Sequence, residues 1–154
     1  MKNALELKIL PPLAMLICAG LIHIIAQVLP VSTMLLDYRE GLTGFFIILG
    51  LSIDLSAMAF FLRAKTTVNP YTPDKSSALV TSGIYRVTRN PMYLGLICLL
   101  LAWTIWLGCL FGLLIIALFQ QYITRFQITP EERSLQTLFG KAYDDYCAQV
   151  RRWI

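Results

Sequence analysis

The run from Tyr93 to Ile123 carries no charged side chain. A bilayer's apolar core takes about 20 residues of helix at 1.5 Å rise per residue. This run exceeds about 30, too many for one ordinary span. The sequence therefore predicts two short helices that turn near Trp106-Leu107-Gly108. Trp103 and Trp106 then fall at the far interface, as aromatic belts do. Composition supports a membrane setting. Of 154 residues, 57% are hydrophobic and 14% are charged, with a mean hydropathy of +0.66. A soluble domain is roughly 45–50% apolar and about 25% charged. Both an ordinary soluble globule and a disordered chain are excluded.

Two further runs have the length of a span. Residues 10–29 lie between Pro11-Pro12 and Pro30, and residues 42–62 between Arg39-Glu40 and Arg63. The first run is too long for a cleaved secretory segment of roughly 7–15 apolar residues, and is expected to be retained. With the hairpin taken as 93–106 and 108–124, the chain is expected to form one all-α membrane domain of four transmembrane helices, covering 1–154. Of its thirteen basic residues, only Arg39 falls on one side of that arrangement. Lys2, Lys8, Arg63, Lys65, Lys75, Arg86, Arg89, Arg125, Arg133, Lys141, Arg151 and Arg152 fall on the other. The positive-inside rule then puts both termini and the middle loop in the cytoplasm. The expected location is the cell's inner membrane, crossed several times.

The basic balance therefore reports orientation. No Lys/Arg-rich run with interleaved aromatics suggests nucleic acid. Cys18, Cys98, Cys109 and Cys147 have neither disulfide nor zinc spacing, so no metal is expected.

Most of the remaining chain lies in two cytoplasmic segments. The first covers Arg63 to Met92. In it, Leu79 to Tyr85 looks β-like around Gly83. Asn90 then offers an N-cap and Pro91 a first helical residue, making a helix start suited to an anion. The second covers Arg125 to Ile154. Thr129-Pro130-Glu131-Glu132 has the pattern of a capped helix start, with Glu132 closing a capping box and Glu131 left free. Leu135, Leu138, Phe139, Tyr143, Tyr146, Val150 and Trp153 follow at spacings of three and four. They predict an amphipathic helix interrupted at Gly140, with Trp153 in the headgroup zone.

Asp54 lies inside the second span, where insertion scales charge about 2.5–3.5 kcal/mol for such a residue. It is either a functional group or a residue partnered by Ser52, Ser56 or His23. His23 itself is expected to be a packing residue. Gly41, Gly44 and Gly50 lack the four-residue spacing of a strong helix-packing face.

Two motifs occur in order with the hairpin between them. One is Leu79-Val80-Thr81-Ser82-Gly83-Ile84-Tyr85 followed by Arg89-Asn90-Pro91-Met92-Tyr93-Leu94-Gly95. The other is Glu131-Glu132, Leu135, Phe139-Gly140, Tyr143 and Tyr146. Together they resemble the isoprenylcysteine carboxyl methyltransferase family and its wider group, the phospholipid N-methyltransferases. The resemblance covers about Thr66 to Trp153, with cofactor motifs at 77–95 and 125–153. It implies S-adenosylmethionine as cofactor, S-adenosylhomocysteine as product, and a lipid-like or small amphipathic methyl acceptor, methylated at a carboxyl or a nitrogen, with methylation at a thiol also open. It implies a cofactor site of Leu79, Val80, Tyr85, Asn90, Pro91, Met92, Tyr93 and Glu131, with Arg89 and Glu131 catalytic. The substrate side would hold Arg125, Gln127 and Asp54.

Two departures matter. The eukaryotic carboxyl methyltransferases have His where this chain has Asn90. A substrate-side Arg appears here as Gln127 or Arg125, which weighs against a prenylcysteine carboxylate. The chain is shorter than those enzymes, which fits a prokaryotic source. The competing reading is a non-enzymatic four-helix membrane protein in which Arg89, Tyr93 and Glu131 only anchor the interface.

Overall fold

The computed structural model describes residues 6–29, 36–64 and 78–154. Its helices are α1 (Pro11–Val28), α2 (Arg39–Arg63), α3 (Pro91–Leu107), α4 (Gly112–Ile123), α5 (Thr129–Phe139) and α6 (Lys141–Gln149). Lys2, Lys65 and Lys75 lie outside the described residues. By length and composition α1 and α2 are each able to cross a membrane, and α3 is a shorter apolar helix.

The uncharged run does turn where expected. Gly108 is left-handed, with φ +64°. Its N–H donates to the Ile105 carbonyl, and the Cys109 N–H donates to that of Thr104. This pair of bonds satisfies the last carbonyls of α3, and a glycine takes the left-handed position without steric cost. Gly112 then starts α4 against Thr104 and Ile22.

The helix α2 packs along α3, whereas α1 lies against α3 and α4. Leu100, Phe119, Ile22, Ile123 and Ile128 are almost fully buried where α1, α3 and α4 meet. His23 is exposed and stacks on Trp103 at 6.0 Å, and the Trp103 indole donates to the Ala19 carbonyl. Arg39 lies 4.8 Å over the Trp106 ring. That contact fixes the start of α2 beside the end of α3, so the two run antiparallel. Large apolar side chains stay exposed on the outer faces, among them Leu16, Ile24, Ile48, Leu55, Leu114 and Leu118. Lipid is the solvent that such faces require.

The α2–α3 contact is built from small residues that the four-residue search did not find. Thr43, Gly50 and Ala57 are the buried residues of α2, and they recur every seven positions. A seven-residue step returns to the same helix face. At Gly50 an added Cβ would stand 2.9 Å from the Gly95 carbonyl oxygen.

The expected new helix at Thr129 is corrected. The chain from Gly112 to Phe139 runs through a π turn at Thr124–Ile128 without leaving helical geometry. Pro130 has no N–H to donate to Phe126, and mid-helix proline normally breaks a helix for that reason. Here the Leu7 N–H takes the free Phe126 carbonyl at 3.0 Å. Gln127 donates to the Ile9 carbonyl at 2.6 Å, and Arg133 pairs with Glu6. Thr129 donates its hydroxyl back to the Thr124 carbonyl instead of capping forward. The N-terminal segment thus supplies what the proline removes.

The β-like reading of 79–85 is also corrected. A 3-10 turn spans Gly83–Arg86, and no strand occurs among the described residues. The break at Gly140 is present, with φ +49°. Past α6, Trp153 packs on the main core, so the tail turns back on the bundle.

The close α2–α3 approach predicts a contrast between glycines. Gly50→Ala should lower stability by about 1–3 kcal/mol through overpacking. Gly41 has open space around it. Gly41→Ala should be neutral or stabilising by up to about 1 kcal/mol. Denaturant unfolding in detergent measures both, and equal effects would disprove the contact.

Candidate active site

The loop before α3 is held from two sides. Gly83 has φ +62° and lies on the Phe60 ring, where a Cβ would collide with the aromatic carbons. Tyr85 packs edge-on against Phe61 at 5.4 Å, and its carbonyl accepts from the Tyr146 hydroxyl at 2.7 Å. The loop therefore joins α2 to α6. Val80 and Tyr85 are buried with Ala57, and Leu79 packs with Tyr143, Tyr146 and Val150.

The start of α3 is stitched to the C-terminal tail. The Arg89 N–H donates to the Arg151 carbonyl at 3.0 Å. The Arg152 carbonyl accepts from Asn90 Nδ2 at 2.9 Å and from the Thr88 hydroxyl at 3.2 Å. Asn90 occupies the N-cap position and Pro91 the first turn, as expected, but the Asn90 side chain does not cap. It is spent on the tail. The first N–H groups of α3 are left without a side-chain cap, which is the arrangement that suits an anion.

The two glutamates have separate partners. Glu132 accepts from Arg152 at 3.0 and 2.6 Å, and pairs with Arg89 at 3.2 Å. Arg89 also touches the Cys147 sulfur. The expected capping box does not form, because Glu132 faces these two guanidinium groups. Glu131 accepts from the Tyr93 hydroxyl at 2.5 Å. Burial pushes its carboxyl up to about 7; the Tyr93 hydrogen bond opposes that shift and the Glu132 charge adds to it. Hydrogen bonding to Glu132 raises the Arg152 guanidinium further. Burial also raises the Tyr146 hydroxyl, to about 12, so it remains a neutral donor.

These groups surround a cavity of about 470 Å³, within the range of about 300–1,000 Å³ usual for ligand sites. Arg89, Asn90, Glu131 and Glu132 supply its polar wall, and Tyr85, Tyr93, Tyr143 and Tyr146 supply aromatic faces. Leu51, Leu55, Met58 and Phe61 of α2 face them, with Asp54 among them, and Leu10, Pro11 and Pro12 close one side. Leu79, Val80 and Met92 also line it. Pro91 is buried at the base of α3, outside the lining. Arg125 is exposed beside Phe126. Gln127 is buried in the π turn, bonded to Ile9. Neither lines the cavity; the π turn spends Gln127 on the N-terminal segment and leaves Arg125 over the Phe126 ring.

Sequence reasoning did not assign Tyr143, Tyr146 or Leu135 to the site, although all three stand in the second motif. Tyr143 and Tyr146 share one face of α6 at a spacing of three, which was the available signal. Leu10 and Pro12 carried none, since only folding brings α1 to the cavity.

The geometry agrees with what the chain is similar to. A model of the phospholipid methyltransferase family matches residues 39–142, from the start of α2 to the start of α6. The chain belongs to the phospholipid methyltransferase family. A Protein-S-isoprenylcysteine O-methyltransferase of Schizosaccharomyces pombe is 30% identical over 113 residues, 73% of this chain and 48% of that one. The chain thus spans about half the length of that relative. An uncharacterized protein of Haemophilus influenzae is 46% identical over 63 residues, its entire length and 41% of this chain. No solved structure matches. Family membership makes the chain a membrane methyltransferase, and the matched region contains both halves of the polar wall.

Removing Glu132 leaves two guanidinium groups without their counter-charge. Glu132→Ala should lower stability by about 1–3 kcal/mol, moderated by solvent at Arg152, whose side chain is 41% exposed. Glu131→Ala should cost less, because Tyr93 is its one hydrogen-bond partner among the described residues. Thermal unfolding of the two variants in detergent checks the order.

Proposed function

We propose that this protein is an integral membrane methyltransferase that uses S-adenosylmethionine to methylate a lipid-like or small amphipathic acceptor. The observation that carries this reading is the Tyr93–Glu131 hydrogen bond. It joins the two separated motifs across one cavity whose other wall is apolar. In this reading α1 to α4 span the membrane with both termini in the cytoplasm, and the excess of basic residues on one side supports that orientation.

The residues fit the proposed cofactor. Arg89 Nε is buried without a partner among the described residues, which leaves a free donor on a residue two positions before α3. With the uncapped N–H groups of α3 it suits a carboxylate. Glu131 accepts from hydroxyl or ammonium donors. Leu79 and Val80 offer flanking surface and backbone groups for a base, and the tyrosine faces suit a cation. When bound, the cofactor supplies a methyl group activated on a positively charged sulfur. The protein's part is to orient, to exclude water behind Leu79, Tyr143 and Tyr146, and to hold the acceptor in line. The acceptor's apolar part enters past Leu51, Leu55 and Met58, which face outward on α2.

Calorimetric titration of the detergent-solubilised protein with S-adenosylhomocysteine tests the reading, and no binding up to millimolar ligand would overturn it. Glu131→Ala should weaken binding by on the order of 1–3 kcal/mol, the range for a lost charged hydrogen bond. The raised Glu131 carboxyl gives a pH signature. It is protonated below about 7 and ionised above. An ionised acceptor binds hydroxyl and ammonium donors better, so affinity should rise as pH passes from 6 to 8. Glu131→Gln should flatten that rise, and an unchanged slope in the variant would place the titration elsewhere.

A further inference from the structure

The charges on the cavity wall conflict with an anion at the start of α3. Among the described residues, the charged lining is Asp54, Arg89, Glu131 and Glu132. That is three carboxylates and one guanidinium, and a cleft of that sign repels an anion. Arg89 does not reverse the sign alone, because it is paired with Glu132 at 3.2 Å. Asp54 Oδ1 has no hydrogen-bond partner among the described residues, and neither Ser52, Ser56 nor His23 bonds to it. A carboxylate fits beside Arg89 only when the Glu132 charge is answered from elsewhere.

The answer stands behind the wall. Arg152 is not on the lining, yet it holds Glu132 as a fork. Its Nε donates to Oε1 at 3.0 Å and its Nη2 to Oε2 at 2.6 Å. Two parallel bonds of this kind take up both carboxylate oxygens. Arg89 has one longer contact with Glu132, through Nη2, while its Nη1 rests on the Cys147 sulfur and its Nε has no partner among the described residues. The charge of Arg89 is therefore left over, on a side chain only 14% exposed. The backbone fixes Arg152 in this place. Its carbonyl accepts from Asn90 Nδ2 and the Thr88 hydroxyl, the Arg151 carbonyl accepts from the Arg89 N–H, and Trp153 packs on the core. These tail residues all lie past the stretch that the family model matches, which ends at residue 142.

We infer that Arg152 is a positioning residue for the cofactor: it neutralises Glu132 from outside the cavity, so that the Arg89 charge is left to receive a carboxylate at the start of α3. The tail beyond α6 thus sets whether the site favours a ligand with an amino-acid end over one without its carboxylate. The inference rests on the methyltransferase reading and adds the group that sets the charge of its anion subsite. Arg89, Arg152 and Glu132 together carry one net positive charge. Without Arg152 they carry none, and Arg89 turns to Glu132 entirely. Loss of structure would weaken every ligand alike, whereas loss of this charge weakens only a ligand that bears the carboxylate.

The test is calorimetric titration of the full chain in detergent with two ligands. One is S-adenosylhomocysteine; the other is its decarboxylated analogue, which keeps the adenosine, the thioether and the amine. The wild type should bind S-adenosylhomocysteine roughly tenfold tighter than the analogue, a difference of about 1.4 kcal/mol. Arg152→Met should bring S-adenosylhomocysteine down to the analogue's affinity while the analogue stays within about twofold of its wild-type value. Arg152→Lys, which keeps the charge without the fork, should recover part of the loss. In the double variant Arg152→Met with Glu132→Gln, Arg89 is again unopposed and the preference for the carboxylate should return. If Arg152→Met is too unstable to titrate, Glu132→Gln alone serves: it frees Arg89 with Arg152 untouched and should keep or widen the preference. Equal losses for both ligands in Arg152→Met would reduce Arg152 to a fold contact and overturn the inference. A double variant no better than the single, or a Glu132→Gln protein without preference, would overturn it too. Absence of binding of either ligand by the wild type would bring down the methyltransferase reading itself. Equal wild-type affinity for the two would bring down only the anion subsite.

Discussion

One carboxylate ties together parts of the chain that are far apart in sequence. Glu132 sits between Arg89, at the entry to α3, and Arg152, in the tail beyond α6. The tail's carbonyls in turn accept from Arg89, Asn90 and Thr88. Charge-assisted bonds of this kind are short and directional. They fix how α5 faces α3, and that fixes the distance across which Tyr93 reaches Glu131. The cavity is the space left between these fixed edges and α2. A charged cluster close to lipid is tolerable because its two guanidinium groups share the Glu132 carboxylate. Among the described residues, the buried unpartnered atoms on charged side chains, Asp54 Oδ1 and Arg89 Nε, belong to residues that line the cavity.

The apolar frame sets a second constraint. Helices in lipid gain little from burying apolar side chains against one another, so they associate by close backbone approach and internal hydrogen bonding. Thr43, Gly50 and Ala57 give α2 a flat face for α3, and Gly95 accepts the Asp54 carboxylate. The same demand for internal hydrogen bonds explains Pro130. Its missing donor would leave the Phe126 carbonyl free beside lipid. The segment before α1 folds onto that carbonyl through Leu7, which also brings Leu10, Pro11 and Pro12 to the cavity wall. A local defect in one helix thus recruits the chain's first turn into the site.

The site was legible wherever it follows from local chemistry. Asn90-Pro91 marked the start of α3, Gly108 its end, and Gly140 the break between α5 and α6. Arg89, Tyr93 and Glu131 stood out because charged and aromatic residues are scarce in such a chain. The partners of those residues were not legible. Asn90 reads as a cap, yet bonds to a carbonyl 62 positions away. Glu132 reads as a capping-box residue, yet answers two arginines. Thr129 reads as a helix start, yet lies within a continuous helix. Each of these side chains has one good local use, and the fold offered a stronger distant one.

By itself the sequence determined an apolar solvent and most of the helix ends. Those follow from runs of uncharged residues and from glycine and proline at the turns. Only the tertiary structure decided which charges are spent on holding the fold and which face the cavity. Arg89 and Arg152 compete for Glu132, while Glu131 stays with Tyr93 and Asp54 Oδ1 has no partner among the described residues. Pairing of that kind depends on distances of a few ångströms between residues separated by tens of positions, and a linear pattern carries no record of them.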